Sequence, residues 1–320
     1  MSVAPSVSAA PGTGIEFPLS PEATERLVRA ALEEDRAFDD VTTLAVVPAS
    51  ARARADMVSR SAGVIAGLPL AARVFELLDG ATRCHALVSD GTRVSANEAV
   101  LEIDGTARAV LSAERVALNF AQRLSGIATL TARYVDAVRG THAKILDTRK
   151  TTPGLRALEK YAVLCGGGTN HRADLAAAVL IKDNHLESVG GDVALAVRRA
   201  RESAPAGIQV EVECDTREQV ARAIEAGADV ILLDNMSPGE MRRCVEMVNG
   251  AAIVEASGGI TLESVRAVAE SGVDWISVGA LTHSVPALDL GLDFRAPDQI
   301  TSYAISTPAT DTIVSPAKNK

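Results

Sequence analysis

Two stretches decide how this chain is read: AIEAGADVILLDN at residues 223–235, and its echo VAESGVDWISVGA at residues 268–280. Each reads as the end of a helix, a glycine, one further residue, an aspartate and then an apolar strand. Gly227 and Gly272 suit the left-handed position after a helix, where a missing Cβ removes the steric penalty. Thr216 and Gln219 form a capping box that starts the helix before the first strand. Working outward, apolar runs of strand length recur at Ala143–Asp147, Ala177–Lys182, Ile208–Glu213, Val230–Asp234, Ala252–Ala256 and Trp275–Val278, mostly with helical segments between them. Strands apolar on both faces that alternate with helices make a parallel sheet. About six such units, with polar residues gathered where the strands end, predict an open β/α barrel rather than a doubly wound sheet. No GxGxxG follows the first strand, which also speaks against a dinucleotide fold.

The first half has another rhythm. Ser20-Pro21 opens a helix, with serine as N-cap and proline at the first helical position. Short alternating runs at Arg52–Val58 and Ala99–Ile103, a helical stretch at Pro69–Leu78 and frequent glycines predict a smaller α+β sandwich domain. Ala107–Val138 is strongly helical, with Ser125-Gly126 as a break or hinge inside it. The whole is thus an α/β protein: a flexible tail over 1–17, an N-terminal α+β domain over 18–126 to which 285–296 return, a barrel over 127–284, and a second flexible tail over 297–320.

The chain has 320 residues, 47% of them hydrophobic but only 3% aromatic, so its core is aliphatic. With 32 basic and 41 acidic residues the net charge is −9, which opposes non-specific binding to nucleic acid or an anionic membrane. Cysteines at 84, 165, 214 and 244 form no CxxC pair, so neither a zinc site nor a disulfide framework is indicated. No run approaches the ~20 apolar residues of a membrane span, and the N-terminus lacks a secretory pattern. A cytoplasmic protein is expected.

In a β/α barrel the chemistry sits where strands end. Those ends read Asp147-Thr148-Arg149-Lys150-Thr151, Lys182-Asp183-Asn184-His185, Glu211 with Glu213 and Asp215, Asp234-Asn235, Ser257-Gly258-Gly259 and Val278-Gly279-Ala280. The period of two puts Glu211, Glu213 and Asp215 on one face, read as facing the barrel mouth. Between Arg149 and His185 lie six basic residues (Arg149, Lys150, Arg156, Lys160, Arg172, Lys182) against three acidic ones. At strand ends and beside the loop Gly166-Gly167-Gly168, they describe a cationic pocket for a small polyanion rather than a solvated face. Ser257-Gly258-Gly259 and Gly279 at the next strand end suit a phosphate cradle. Glu213 and Asp234 suit Mg²⁺; a buried acid neutralised by Lys or Arg is the other reading of each.

Taken together, ILDTRKTTPGLRALEKYAVLCGGGTNHRADL, IKDNH, VEVE, ILLDN, SGGI and VGALTHS, with EEDRAFDDVTT, AGVIAGLPLA and ERVALNFAQRLSGIAT upstream, resemble the quinolinate phosphoribosyltransferases over about Pro18 to Phe294. One departure is Asp39-Asp40 where that family usually has Gly-Asp, expected to be remote from the strand-end groups. The resemblance implies conversion of quinolinate and phosphoribosyl pyrophosphate to nicotinate mononucleotide, pyrophosphate and CO₂ in NAD biosynthesis, with Mg²⁺ as cofactor. It also implies a homodimer with a shared active site. Arg149, Arg172 and Lys182 would contact the quinolinate carboxylates or nearby phosphate, and Arg115 would reach in from the partner subunit. Thr148, Lys150 and His171 would line the same pocket; Glu213 and Asp234 would engage ribose hydroxyls or magnesium; and Ser257, Gly258, Gly259, Val278, Gly279 and Ala280 would hold the 5′-phosphate. By the same resemblance, Arg149, Lys150, Lys182, Glu213 and Asp234 would be the catalytic set.

These residue types fit such chemistry, which needs cations and a pre-organised field but no general base or covalent nucleophile. Three alternatives stand beside it: a Schiff-base aldolase using Lys182, a relative of the same fold acting on another anion, as in molybdenum systems, and a non-catalytic anion-binding subunit.

Overall fold

The computed structural model describes residues 14–295. The expected tails therefore lie outside the described residues, except for 14–17. There Ile15 and Phe17 rest against the core, Phe17 edge-on to Tyr161 at 5.5 Å, so this part of the expected tail is packed.

The first half runs through α1 (Pro21–Glu34), a 3-10 turn (Ala37–Asp39), α2 (Val41–Val46), β1 (Arg52–Ser59), β2 (Gly63–Val64), α3 (Leu68–Leu78), β3 (Arg83–Ala86), β4 (Arg93–Val94), β5 (Ala99–Thr106) and α4 (Ala107–Ala137). Ser20 caps α1 by accepting the Ala23 amide at 3.2 Å, and Pro21 occupies its first turn. β1, β3 and β5 pair antiparallel, with α3 and α4 supplying the apolar cover.

α4 is one continuous helix of 31 residues, so the break expected at Ser125-Gly126 is absent. These small residues serve contact instead. The Ser125 hydroxyl accepts the Ala66 amide at 3.0 Å and lies 3.2 Å from the Ala66 carbonyl. A Cβ on Gly126 would strike the Pro286 carbonyl and come within 3.1 Å of Ala287 Cα. Glycine lets a returning strand of chain cross the helix closely, a need that outweighs its poor helix propensity.

The second half comprises β6 (Lys144–Leu146), α5 (Arg156–Cys165), β7 (Val179–Ile181), α6 (Asp183–Glu187), α7 (Val193–Ser203), β8 (Val210–Cys214), α8 (Arg217–Glu225), β9 (Val230–Asp234), α9 (Pro238–Val248), β10 (Ile253–Ser257), α10 (Val265–Ala269), β11 (Trp275–Ser277), α11 (Ala280–His283) and β12 (Leu290–Phe294). Six parallel strands stand in the order β6-β11-β10-β9-β8-β7, so β6 and β7 end the sheet and leave one seam open. The last strand, β12, leaves the barrel and pairs antiparallel with β1.

The repeat that decided the reading has a structural cause. Gly227 and Gly272 have φ of +74° and +96°. The aspartates that follow each bond the neighbouring strand at its start: Asp229 accepts the Val210 amide at 2.7 Å and Asp274 the Val254 amide at 2.8 Å. Each unit therefore ends its helix, begins its strand and satisfies its neighbour with three residues.

The seam is crossed by residues 166–172. Leu146 and Thr169 form a parallel bridge, with the Thr169 amide donating to Ile145 at 2.8 Å. Gly166 and Gly168 are spacers here: a Cβ on Gly166 would strike the Ala128 carbonyl, and one on Gly168 would lie 2.8 Å from Thr131 Cγ2. The GGG run, read from sequence as part of an anion pocket, thus packs this segment against α4.

Replacing Gly126 by alanine is expected to destabilise the fold by about 1–3 kcal/mol through overpacking, despite alanine's better helix propensity. Urea denaturation measures it, and unchanged stability would mean that the 286–288 segment yields freely.

Candidate active site

The barrel's parallel register puts the expected residues on one rim. Leu180 stands opposite Glu211, so Lys182 falls beside Glu213 one pleat further on. Glu213 stands opposite Leu232, and Asp234 opposite Ser257. Residues in register share a face, so Lys182, Glu213, Asp234 and Ser257 edge the same mouth. Thr148, Arg149 and Lys150 follow β6, while Val278, Gly279 and Ala280 follow β11, its neighbour in the sheet. His171 and Arg172 arrive on the segment that crosses the seam.

That segment is held by buried charge. Asp147 is fully buried and its carboxylate meets the Lys160 ammonium, the His171 amide at 2.9 Å and the Asn170 side-chain amide at 2.6 Å. Burial pushes the Asp147 carboxyl upward, and Lys160 opposes the shift. Lys160 also donates to the His171 carbonyl at 3.0 Å. Lys160, counted from sequence among the pocket cations, is a structural tie, and Arg156 braces Thr151 at 3.1 Å.

Of the other cations, Lys182 is ion-paired with Glu213, while Arg149, Arg172 and Lys150 are left open to a ligand. Arg149 Nε is buried without a hydrogen-bond partner among the described residues. Arg172 spends one nitrogen on the Ala178 carbonyl at 3.0 Å, and burial together with the nearby Arg149 charge lowers its pKa. An unsatisfied guanidinium beside a second one is costly, and a polyanion relieves both costs. Lys150 is exposed, its amide 3.1 Å from the Thr148 hydroxyl.

Behind these cations lies a buried acid layer that sequence reading only half found. His171 Nε2 lies 3.2 Å from Glu211 and 3.3 Å from Glu255, and Ser277 donates to Glu255 at 2.5 Å. Burial alone would lower the imidazole pKa, but the two carboxylates outweigh it and raise it to about 10. The Arg172 amide, 2.7 Å from Nδ1, would suit the neutral ring. Against that one amide dipole stand two buried carboxylates on Nε2, so the carboxylates decide. The three ligand-type atoms lie within 4.8 Å of one another, yet His171 already supplies the charge these acids need and Arg172 adds to it beside Glu211. Glu255 was missed because one acid in an apolar run gives no pattern. Asp215 departs from expectation: it lies past the strand end, exposed, in the turn capped by Gln219.

Glu213 is ion-paired with Lys182, and Asp234 accepts the Asn235 amide at 2.5 Å. Each acid keeps one carboxylate oxygen without a hydrogen bond among the described residues, on adjacent strand ends. Such a pair of hard oxygen donors fits Mg²⁺, which is commonly held by one or two carboxylates plus waters and substrate oxygens.

Gly258 and Gly259 have φ of +90° and +59°, and a Cβ on Gly258 would strike the Asn235 side chain. Gly279 starts the turn of α11, and a Cβ there would lie 3.1 Å from His283 Nε2 and 3.2 Å from Lys150 Cδ. His283, also missed from sequence, thus stands with Lys150 over the turn. The Val278 amide is taken by the Leu146 carbonyl at 2.9 Å, which leaves Gly279 and Ala280 to supply backbone donors.

Arg115 does not join this mouth. It lines a separate cavity of about 740 Å³ with Asp35, Arg36, Asp39, Asp40 and Leu111. Asp39, expected to be remote from the strand-end groups, lines this separate cavity with Arg115.

His171 yields a test with a definite sign. Its raised pKa means that its charged contacts stabilise the fold fully below the unfolded value of about 6.5 and fade as pH rises through about 10. Wild type should therefore exceed His171→Gln in urea stability near pH 6, with the gap closing toward pH 10. A pH-independent gap would refute the charged-imidazole assignment.

Comparison with known proteins agrees with this geometry. Residues 40–125 match the family model for the quinolinate phosphoribosyl transferase N-terminal domain, and residues 127–293 match that for its C-terminal domain. The chain is 45% identical over 278 residues to the nicotinate-nucleotide pyrophosphorylase [carboxylating] of Mycobacterium leprae, covering 85% of this chain and 97% of that protein. It is 43% identical over 269 residues to the probable enzyme of that name from Bacillus subtilis, covering 84% and 92%. The solved nicotinate-nucleotide pyrophosphorylase from Francisella tularensis superposes with a TM-score of 0.83 at 40% identity, covering 88% of this chain and 99% of that one. With both domain models matched in order and the expected cations on one barrel rim, this chain belongs to the quinolinate phosphoribosyltransferase family.

Proposed function

We propose that the barrel mouth joins quinolinate to the ribosyl carbon of phosphoribosyl pyrophosphate, releasing pyrophosphate and CO₂ and leaving nicotinate mononucleotide for NAD biosynthesis. The observation that carries this reading is the buried, unpartnered Arg149 Nε beside Arg172. Two adjacent guanidiniums suit a substrate with two neighbouring carboxylates, because planar forks bind carboxylates bidentately. Gly258, Gly259, Gly279 and Ala280 supply the turn for the 5′-phosphate, and Lys150 faces the departing pyrophosphate.

Glu213 and Asp234 are the residues to hold Mg²⁺, whose chemistry is to neutralise charge on the pyrophosphate. The protein's own groups do the rest: Arg149 and Arg172 orient the ring so that its nitrogen meets the ribosyl carbon, and Lys150 and Lys182 favour negative charge leaving. Once ribosylated, the ring nitrogen is a pyridinium whose positive charge stabilises the electron pair left on the adjacent ring carbon when its carboxylate departs as CO₂, and that carbon then takes up a proton from water to give the product. A Schiff-base role for Lys182 is disfavoured, since that chemistry needs a free amine and Lys182 is ion-paired with Glu213.

The acting unit is a homodimer. Arg115 lies apart from its own mouth, and its cavity is lined by Val41 and Leu44, which with Phe38 and Val46 on the same stretch of chain are large apolar side chains left exposed, Val41 at 78%. An apolar patch next to a functional cation is what a partner subunit would cover. Among the described residues no helix is long and apolar enough to cross a membrane. The four unpaired thiols suit the reducing cytoplasm, where we place the reaction.

Arg149→Ala should lower kcat/KM for quinolinate by roughly 150- to 5,000-fold, the equivalent of about 3–5 kcal/mol for breaking a buried charge pair. Steady-state formation of nicotinate mononucleotide measures it, and near-normal kinetics would overturn the clamp. Arg115→Ala and Arg172→Ala should each be inactive, yet mixing them should restore activity through hybrid dimers carrying one intact site. No recovery from verified hybrids would refute the shared site.

A further inference from the structure

Arg123 lies on α4, away from the strand ends, and has no part in the chemistry above. Its guanidinium nevertheless reaches the barrel. Nε and Nη2 donate to Glu159 Oε1 at 3.1 and 2.8 Å, and Nη2 also meets the Thr282 carbonyl. Glu159 is fully buried on α5 and accepts both the Thr152 amide at 3.1 Å and the Thr152 hydroxyl at 2.7 Å. Thr282, also fully buried, sends its hydroxyl to the Lys150 carbonyl at 2.7 Å.

These bonds close a circuit. It runs from Arg123 through Glu159 to Thr152, back along two residues to Lys150, through Thr282 and again to Arg123. One arm holds the loop that carries Arg149 and Lys150; the other holds the Gly279–Thr282 turn. We propose that Arg123 is a positioning residue that sets the distance between the carboxylate-binding loop and the phosphate turn. This inference rests on the functional reading above, in which those two elements hold the two different substrates.

The chemistry of the arginine side chain favours this role. A buried glutamate needs only a positive charge, which lysine could supply. Satisfying one carboxylate oxygen twice and a backbone carbonyl from another strand end requires several fixed N–H directions, which the planar fork has and an ammonium lacks. Bringing a ring nitrogen to a ribosyl carbon is a problem of mutual placement, and small misplacements there reduce rate far more than binding.

The test is a double-mutant cycle in the full-length protein. Arg123→Lys keeps the charge opposite Glu159, and Thr282→Val removes the hydroxyl arm while leaving that ion pair whole, so a folding failure of one variant does not remove the other. Each single change should lower kcat about tenfold while quinolinate and phosphoribosyl pyrophosphate affinities, measured separately by calorimetry, stay within about threefold. The double mutant should be no slower than the worse single, because both cut one circuit. Hydrogen exchange should rise in a peptide spanning 148–152 and not across β8 and β9. Wild-type kcat in Arg123→Lys, additive losses in the double mutant, or lost affinity with unchanged exchange would each overturn the proposal. Failure of the wild type to make nicotinate mononucleotide would refute the functional reading instead, and exchange over 148–152 would then decide the tie by itself.

Discussion

The molecule depends on how its open seam is held. Six parallel strands do not close between β6 and β7, and the crossing segment carries His171 and Arg172 to the rim. A single ion pair, Asp147 with Lys160, sits at that crossing almost wholly out of water and gathers the His171 backbone from both sides. Such a pair gains little over an apolar substitute, but losing one partner strands a buried charge at about 3–5 kcal/mol. Its value is geometric: it allows Arg149, two residues beyond Asp147, and Arg172 to stand close together despite their repulsion.

From this constraint follows a layered distribution of charge. Glu211 and Glu255, inside the barrel, face His171 and lie under the cations. Arg149, Arg172 and Lys150 occupy the rim, and Lys182 is already balanced by Glu213. A chain of net charge −9 thereby keeps a locally cationic mouth, and its buried acids allow cations to crowd where no counter-ion is covalently present. Much of the field that a departing polyanion needs is set before substrate arrives, the condition under which electrostatics contributes most to rate.

How far all this was legible depends on the kind of signal. The strand ends could be read because the repeat around Gly227 and Gly272 shows where helices stop and strands begin, and a parallel barrel puts its chemistry there. The cations Arg149 and Lys182 followed from that placement, and Arg172 from the run of basic residues between them. Small residues misled at Ser125-Gly126, which signals a break by propensity but sits in a continuous helix; Gly166–Gly168 does form the expected loop, yet its glycines are required by the close approach to α4. Glu255 and Arg123 could not be found, since their roles arise from contacts across 84 and 36 residues of chain, with His171 and Glu159. Lys160 shows the converse, a charge whose type was plain but whose partner only the fold reveals.

The central claim is that two adjacent, incompletely satisfied guanidiniums await two adjacent carboxylates. Isothermal titration of the wild-type protein with quinolinate, and in parallel with nicotinate, tests it without relying on turnover. Quinolinate should bind at least about 10²-fold more tightly, because a ligand lacking the second carboxylate leaves a buried donor unpaired. Equal affinity for the two would contradict the account.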